Sequence, residues 1–178
     1  LQDVRHNLWE CFFITHSLRK DLPMKLTTII PVHNAEKYIT ATLDSVLQQD
    51  LGNPEELEVI CVDDASTDAS VALIKDYQQK DSRIRLFLNE KNRFAGACRN
   101  KGIEEAHGDY LHFLDADDLV EKGAYQKYLS IAEQADADMI KGCAVCFDNE
   151  TGELSDTPLF ALSDVPAECF DKVLNFHQ

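Results

Sequence analysis

Short apolar runs alternate with amphipathic stretches along most of this chain. Four of the runs have the length and composition of β-strands, and they cover residues 25–32, 57–62, 84–88 and 110–114. Between them, apolar residues recur at a spacing of three or four, which predicts helices. This alternation predicts an α/β domain with a mostly parallel sheet covered by helices on both faces. Ligands of such domains bind outside the carboxyl ends of the strands.

The predicted helices have candidate capping residues at their ends. Asn34 is placed to cap the first helix, and Ser66 or Thr67 is placed to cap the second. Gly108 is placed to end the third helix, and a fourth helix is predicted over residues 121–135.

Residues 1–23 do not follow the alternation. We therefore predict an upstream extension or linker there, and a single domain over residues 24–178. His112 lies inside the fourth apolar run, where a core histidine is expected.

Polar residues directly follow three of the four predicted strands. They are His33, Asn34 and Glu36 after the first strand, which contains Pro31 near its end, Asp63, Asp64 and Ser66 after the second, and Asp115, Asp117 and Asp118 after the fourth. Because parallel strands end at one edge of a sheet, we expect these acidic residues to converge there.

The last of these clusters is a candidate cation site. While the chain stays extended, Asp115 and Asp117 point to one side and Asp118 to the other. Magnesium accepts one or two carboxylates and completes its shell with water and substrate phosphates, and manganese has similar preferences. The alternative is an acidic helix start, where aspartates serve as caps.

Charge limits the ligands that the domain can attract. The chain has 32 acidic and 17 basic side chains and a net charge of −15, so neither nucleic acid nor anionic lipid is an expected partner. The segment EKNRFAGACRNK is locally basic, with Lys91, Arg93, Arg99 and Lys101 against Glu90. A basic segment beside an acidic metal site suits a diphosphate bridged by a cation. The alternative is an ordinary solvated helix face.

Cysteine usage and hydropathy bear on location. The chain has no run of 18 apolar residues, so no membrane span is predicted. Its six cysteines are irregularly spaced, and several lie in apolar runs, which suits a reducing cytoplasm. Cys143 and Cys146 form a lone CxxC without a second zinc-ligand pair, and we interpret it as part of a strand. We predict a cytoplasmic protein, with parts outside this chain able to attach it to the inner face of the membrane.

Three stretches together resemble the family 2 glycosyltransferases with the GT-A fold. They are TTIIPVHNAEKYITATLDSVLQQ, EVICVDDASTDAS and NRFAGACRNKGIEEAHGDYLHFLDADD, which occur in the family's order and spacing over roughly residues 24–130. The resemblance implies a Rossmann-like GT-A fold and an inverting enzyme. Such an enzyme transfers a sugar from a nucleotide-diphosphate sugar, usually a UDP-sugar, to a hydroxyl of a glycan or lipid-linked acceptor.

The resemblance also implies roles for residues after the first two strands. Pro31, His33 and Glu36 match the first-strand motif that lines the nucleotide pocket. Asp63 and Asp64 match the pair that contacts the base, and Asp64 is the favoured contact.

Two further elements match around the fourth strand. Arg99 and Asn100 match the ARN element of the nucleotide-sugar site. Asp115 and Asp117 match the DxD motif, which implies an Mg²⁺ or Mn²⁺ cofactor. Asp117 is then the more direct metal ligand, and Asp115 lies nearer the ribose and diphosphate.

Two departures from the family pattern change the expectation. Phe94 stands where family members often have glycine, which affects the local loop shape. The family's general base, a carboxylate that deprotonates the acceptor, is expected beyond Gln178. We therefore predict a truncated GT-A domain, the donor-binding part of a larger enzyme, that binds nucleotide and metal but transfers sugar poorly alone.

Three alternatives remain open at this stage. The first is a related domain that binds nucleotide without catalysis and serves as an interaction module. The second is a haloacid-dehalogenase-like phosphatase with Asp115 as nucleophile and Asp117 as general acid, although that motif normally opens its domain. The third is a receiver-like phosphoacceptor domain, for which the acidic residues are wrongly placed.

Overall fold

The computed structural model describes residues 11–14, 25–135, 137 and 139–141. These residues form a single six-stranded sheet and four α-helices. The strands are β1 (Cys11–Ile14), β2 (Leu26–Val32), β3 (Leu57–Asp63), β4 (Ile84–Leu88), β5 (Tyr110–Phe113) and β6 (Met139–Lys141). The helices are α1 (Ile39–Leu47), α2 (Ser70–Lys80), α3 (Phe94–Glu105) and α4 (Ala124–Ala135), with a 3₁₀ turn at Pro54–Glu56.

The strand order confirms the predicted fold class. The sheet runs β4-β3-β2-β5-β1-β6, and its first four strands are parallel. All four strands predicted from apolar runs are present within one or two residues of their expected bounds. The domain is therefore α/β with a mostly parallel sheet. Among the described residues, no helix is both long and apolar enough to cross a membrane.

Strand β1 is the element that the sequence pattern did not predict. It lies between β5 and β6 and pairs antiparallel with both, with Phe12 opposite His112 on one side and Ile140 on the other. Four residues are too few to show a periodicity, so this strand is defined by its tertiary pairing. The interpretation of the rest of residues 1–23 as an extension stays a prediction, and Cys143 and Cys146 lie outside the described residues.

Two apolar layers cover the sheet, one on each face. One layer packs α1, α2 and α4 against the sheet, and it includes Ile30, Val59, Leu43, Ile74 and Leu129. The other packs α3 against it through Ile29, Ile60, Val62, Cys98 and Leu111. Because β2 and β3 are covered on both faces, they are near-continuous apolar runs, as central parallel strands usually are.

Helices α1 and α2 begin later than predicted. The residues expected to cap them form hydrogen bonds between the loop after β2 and the loop after β3 instead. Asn34 does not cap α1, since its side-chain Oδ1 accepts a hydrogen bond from the N–H of Thr67 at 2.9 Å. The Ser66 hydroxyl accepts one from the N–H of Asn34 at 3.0 Å. At the start of α2, Asp68 Oδ1 accepts from the N–H of Ser70 at 3.0 Å. The loops after β2 and β3 are thereby joined.

Two glycines set the position of α3 and of the segment after it. Gly102 is buried against β2, and a Cβ there would overlap the Ile29 side chain. Gly108 is not the helix stop that the sequence suggested, because α3 already ends at Glu105. Its N–H donates to the Thr27 hydroxyl at 2.9 Å, and a Cβ there would lie 2.6 Å from the Thr27 nitrogen. Both glycines therefore permit close backbone approach to β2.

His112 is a core histidine, as predicted. It is fully buried, its Nδ1 lies 2.8 Å from the Tyr125 hydroxyl, and that hydroxyl lies 2.9 Å from Thr28 Oγ1. Burial lowers the pKa of His112 from 6.5 to about 3. The folded protein therefore keeps this ring neutral under conditions where the unfolded chain protonates it.

We predict opposite effects for alanine at two glycines of α3. Gly102→Ala should lower the free energy of unfolding by about 1–3 kcal/mol, because the new methyl group overpacks against Ile29. Gly96→Ala should raise it by about 0.5 kcal/mol, because nothing lies within 4 Å of its Cβ position and alanine favours the helix. Urea unfolding followed by circular dichroism measures both, and a Gly102→Ala variant as stable as wild type would refute the close packing.

We also predict an acid-sensitive stability that depends on His112. As pH falls below 6.5, the unfolded chain gains a proton at this residue that the folded chain excludes. The free energy of unfolding should therefore drop by about 2 kcal/mol from this source between about pH 7.5 and about pH 5. In His112→Asn this component should disappear. Urea unfolding at both pH values should therefore show a smaller decrease of the free energy of unfolding with falling pH than in wild type. Equal dependence in the two proteins would contradict the assignment.

Candidate functional site

An open pocket of about 300 Å³ lies at the carboxyl edge of the parallel strands. Three loops and one helix form its walls. The lining residues are 31–35 and Tyr38 at and after the end of β2, Asp64 after β3, Ala95, Cys98 and Arg99 of α3, and 115–117 after β5. The pocket therefore occupies the edge where the sequence predicted that polar residues would meet.

A slightly larger cavity, about 350 Å³, lies around the amino ends of β2, β3 and β4. Its central carboxylate, Glu58, accepts hydrogen bonds from Arg85 at 2.7 Å, from the Thr27 hydroxyl at 2.7 Å and from the N–H of His107 at 2.9 Å. Burial alone would raise the pKa of Glu58, but these bonds outweigh it and hold the pKa below its ordinary value. Because these charged groups bond to one another, we interpret their role at this edge of the sheet as structural.

Backbone strain is concentrated at the carboxyl edge. Three non-glycine residues in the described part of the chain have positive φ: Asn34 at 52°, Ala65 at 58° and Phe94 at 67°. Asn34 and Ala65 lie in the loops after β2 and β3, and Phe94 is the first residue of α3, which follows the loop after β4. This conformation costs about 1–2 kcal/mol for a residue with a Cβ, and such strain tends to cluster at functional sites. Phe94 is also 78% exposed, so its own packing does not offset that cost.

Asp64 links the pocket to the start of α3. The carboxylate is only 3% exposed and accepts from the Asn89 side chain at 2.9 Å, from the N–H of Arg93 at 2.8 Å and from the N–H of Phe94 at 2.7 Å. Burial alone would raise the pKa of Asp64, but these hydrogen bonds hold it below its ordinary value. A negative charge is also favourable at a helix N-terminus. Asp64 thus fixes the loop over 89–94 as well as lining the pocket.

The His33 ring is oriented by the main chain of Asp64. Its Nδ1 lies 2.8 Å from the main-chain oxygen of Asp64, so Nδ1 carries the proton that is donated to this acceptor. In the neutral ring Nε2 is then an acceptor, and the side-chain amides of Asn34 and Asn92 lie 3.2 Å and 3.5 Å from it. The ring therefore connects the loops after β2 and β4 at the pocket wall.

Asp115 and Asp117 both line the pocket, with Ala116 between them. The extended alternation expected for them is wrong, because β5 ends at Phe113 and a turn follows in which the N–H of Asp118 donates to the Asp115 carbonyl at 3.0 Å. Asp118 is buried and is not among the lining residues. A turn, and not the predicted extended chain, therefore brings the two carboxylates to one pocket.

Arg99 is the cation that faces these carboxylates. Its Nη2 donates to Asp115 Oδ1 at 2.6 Å, and the two side chains are 35% and 45% exposed. Arg99 reaches the pocket from α3, whose buried residues Cys98 and Gly102 pack on the sheet. The predicted neighbourhood of a basic helix residue and the acidic cluster is therefore present.

The donor set fits a hard divalent cation that arrives with a diphosphate. Asp115 and Asp117 provide carboxylate oxygens at the pocket, the ligand type that Mg²⁺ and Mn²⁺ prefer. Among the described residues, no group of three or more His, Cys, Asp or Glu side chains is placed to hold a metal ion. Two carboxylates leave positions for water and phosphate oxygens, which is how Mg²⁺ is usually held.

Three predicted site residues lie outside the pocket lining. Asp63 is buried, with Oδ2 accepting from the N–H of Ser66 at 3.1 Å, and its Oδ1 has no hydrogen-bond partner among the described residues. Glu36 Oε2 accepts from the N–H of Ala69 at 2.9 Å, so it holds the start of α2. Asn100 is exposed on α3. Of the predicted residues, the pocket lining brings together Pro31, His33, Asp64, Arg99, Asp115 and Asp117.

The sequence analysis gave no binding role to three other lining residues, Asn34, Tyr38 and Cys98. Asn34 was assigned to a helix cap, although its tolerance of positive φ was a signal for a special loop position. Tyr38 and Cys98 had no distinguishing signal, because each fits an amphipathic helix pattern. Burial and the charge of Asp64 raise the pKa of the Cys98 thiol to about 11, so this thiol stays protonated at neutral pH and is a poor nucleophile.

Comparisons with known proteins identify a matching family model and similar sequences. The sequence model of Glycosyl transferase family 2 matches residues 27–175. An uncharacterized glycosyltransferase of Haemophilus influenzae is 36% identical over 129 residues, which are 72% of this chain and 50% of that protein. This chain therefore spans half the length of that relative.

Two solved structures are similar in fold. The crystal structure of S. aureus TarS 1-349 in complex with UDP-GlcNAc superposes with a TM-score of 0.61 at 33% identity, over 65% of this chain and 33% of that one. The mannosyltransferase PcManGT of Pyrobaculum calidifontis, in complex with GDP-Man and Mn²⁺, gives a TM-score of 0.55 at 25% identity over 60% of this chain and 31% of that one.

We predict that Asp64→Asn loosens the loop over 89–94. An amide has one acceptor oxygen and cannot satisfy the donors that the carboxylate serves, so the free energy of unfolding should fall by about 2 kcal/mol. Amide hydrogen exchange at Arg93 and Phe94 should accelerate. Asp76→Asn, an exposed change on α2, is the matched control and should leave both measurements unchanged.

The pH dependence of the same variant provides a second check. Since the folded pKa of Asp64 lies below 3.8, its contribution is complete above that value and is lost as pH falls through the lowered pKa. Asp64→Asn should lack this acid-dependent component. Unchanged exchange rates at Arg93 and Phe94 would contradict the role of Asp64.

Proposed function

This chain belongs to glycosyl transferase family 2, and on that premise we propose that its pocket binds the nucleotide-diphosphate part of a sugar donor. The donor is a UDP-sugar, and the sugar passes with inversion to a hydroxyl of a glycan or lipid-linked acceptor. The chain forms the donor-binding part of this enzyme. We further propose a cytoplasmic location, which suits the buried free thiols of Cys61 and Cys98.

The observation that carries this proposal is the chemistry of the pocket. It combines two adjacent carboxylates, Asp115 and Asp117, with the guanidinium of Arg99 in a volume of about 300 Å³. A diphosphate bridged to carboxylates by a divalent cation and contacted by an arginine uses all three groups. A pocket for an uncharged ligand would need none of them.

We assign the residues as follows. Asp115 and Asp117 hold the divalent cation, and Asp117 is the more direct ligand. Arg99 donates hydrogen bonds to phosphate oxygens, for which its planar group is well suited. His33 and Asp64 form the wall that faces the nucleoside, and Pro31 completes it. When bound, the cation supplies Lewis-acid compensation for the charge that grows on the leaving diphosphate.

We assign no general base within the pocket. Asp64 is engaged by Asn89 and by the backbone of Arg93 and Phe94, and Asp115 is paired with Arg99. A base must lie within hydrogen-bond reach of the acceptor hydroxyl and be able to accept its proton. We therefore propose that this chain binds donor but transfers sugar slowly, with the base supplied from outside the described residues.

The neighbours support the choice of ligand. TarS was solved with UDP-GlcNAc, and PcManGT was solved with GDP-Man and Mn²⁺. The higher identity to TarS favours a uridine nucleotide here. A phosphatase of the haloacid-dehalogenase type, with Asp115 as nucleophile, has no support from these comparisons. A family member that binds nucleotide without catalysis remains the alternative.

We predict metal-dependent binding of UDP by the purified chain. In isothermal titration calorimetry, UDP should bind about tenfold or more tightly with Mn²⁺ than with a chelator, because the cation bridges the diphosphate to the carboxylates. Asp117→Asn should lose most of this enhancement, since it removes a ligand charge. Asp76→Asn, an exposed change on α2 outside the pocket lining, is the matched control and should bind as wild type does.

Three outcomes would each contradict part of the proposal. UDP affinity that is the same with Mn²⁺ and with chelator would refute the metal-bridged diphosphate. Tighter binding of GDP than of UDP would refute the uridine assignment but not the site. Sugar transfer at rates typical of longer relatives would refute the proposed dependence on an outside base.

A further inference from the structure

Arg99 forms an ion pair with the Asp115 carboxylate, which is the group that a divalent cation would bind. Arg99 Nη2 lies 2.6 Å from Asp115 Oδ1, and both residues line the pocket. Arg99 is the only lysine or arginine among the lining residues that the structure describes. A divalent cation and this guanidinium are both positive, and both are attracted to the same carboxylate.

We propose that Arg99 is an exchangeable counter-ion. It holds Asp115 in the absence of ligand, and it transfers to the diphosphate when a divalent cation takes Asp115. This inference rests on the proposed function, since it assumes a nucleotide diphosphate and a cation in this pocket. It adds a competition between Arg99 and the metal for the Asp115 carboxylate, and it makes Arg99 a phosphate-binding residue that couples the two ligands.

The exposure of the pair makes the exchange energetically accessible. The side chains of Arg99 and Asp115 are 35% and 45% exposed, so water solvates both groups when they separate. Exposed ion pairs contribute little net stability because solvation and side-chain entropy offset the attraction. A buried pair would instead leave an uncompensated charge when it broke.

The helix that carries Arg99 is held firmly, so only its side chain needs to move. Asp64 bonds the first turn of α3 through the N–H groups of Arg93 and Phe94. Gly102 packs against Ile29 three residues beyond Arg99. Rotation of a long, half-exposed side chain then exchanges a carboxylate partner for a phosphate partner without displacing the helix.

The exchange predicts effects of opposite sign for a single substitution. Arg99→Gln removes the competitor for Asp115, so Mn²⁺ alone should bind more tightly. The same change removes a phosphate contact, so UDP in saturating Mn²⁺ should bind more weakly. A residue that served only the fold would weaken both, and one that served only the phosphate would leave binding of Mn²⁺ alone unchanged.

The experiment measures the two ligands separately. Mn²⁺ binding in the absence of nucleotide is followed by electron paramagnetic resonance of the free ion, and UDP binding in saturating Mn²⁺ by calorimetry. For Arg99→Gln we expect Mn²⁺ affinity to rise about two- to fivefold, the range that an exposed ion pair allows. We expect UDP affinity to fall about tenfold or more, as for loss of a charged hydrogen bond.

Two further variants separate competition from general charge. Lys91→Gln removes one positive charge from an exposed position in the loop before α3 and should change Mn²⁺ affinity less than Arg99→Gln does. Arg99→Lys keeps the charge but loses the planar fork, so Mn²⁺ affinity should stay near wild type while UDP affinity falls. Circular dichroism and thermal unfolding establish that each variant is folded.

The outcomes distinguish this inference from the proposed function. If wild type binds Mn²⁺ and UDP but Arg99→Gln binds Mn²⁺ no more tightly, the exchange is refuted and the donor site stands. An equal gain in Lys91→Gln and Arg99→Gln would also refute it, because the effect would then be one of net charge. If wild type binds neither Mn²⁺ nor UDP, the proposed function fails and the exchange fails with it.

Discussion

The carboxylate of Asp64 is the constraint on which the rest of the pocket depends. It is a buried negative charge directly after strand β3, stabilised by the Asn89 amide and by backbone N–H groups at the start of α3. The main-chain oxygen of Asp64 accepts a hydrogen bond from Nδ1 of His33. The loops after β2, β3 and β4 therefore meet at one residue. These bonds, with a further hydrogen bond from the Phe94 N–H to Asn92 Oδ1 at 3.0 Å, hold the strained backbone of Phe94.

The position of Arg99 follows from this anchor and from one at the other end of the same helix. Gly102 lets α3 lie directly on Ile29 of β2, while Asp64 fixes its first turn. Between these two points the helix cannot slide along the sheet, so Arg99 is presented to the carboxyl edge at a fixed height. Its contact with Asp115, which follows β5, then depends on the sheet order, because β2 lies between β3 and β5.

Sequence reasoning was reliable where a pattern reflects burial on two faces and weaker where a contact is long-range. The four parallel strands are near-continuous apolar runs, and their order along the chain was enough to place the Asp115 cluster at the same edge as Asp64. The roles of Asn34 and Ser66 could not be predicted, because each side chain bonds to the other's loop instead of its own helix. Strand β1 could not be predicted either, since four residues are too few to show a periodicity.

The charge balance explains why cation and nucleotide must be considered together. The chain carries a net charge of −15, and a diphosphate adds further negative charge to an edge that already has Asp115 and Asp117. Arg99, the one guanidinium among the lining residues within the described part of the chain, is paired with Asp115. A diphosphate alone would have to compete with that carboxylate for Arg99, and a cation alone would have to displace Arg99 from it. If both bind as proposed, each would remove the obstacle to the other, and positive coupling between them would follow from the charges that the pocket already contains.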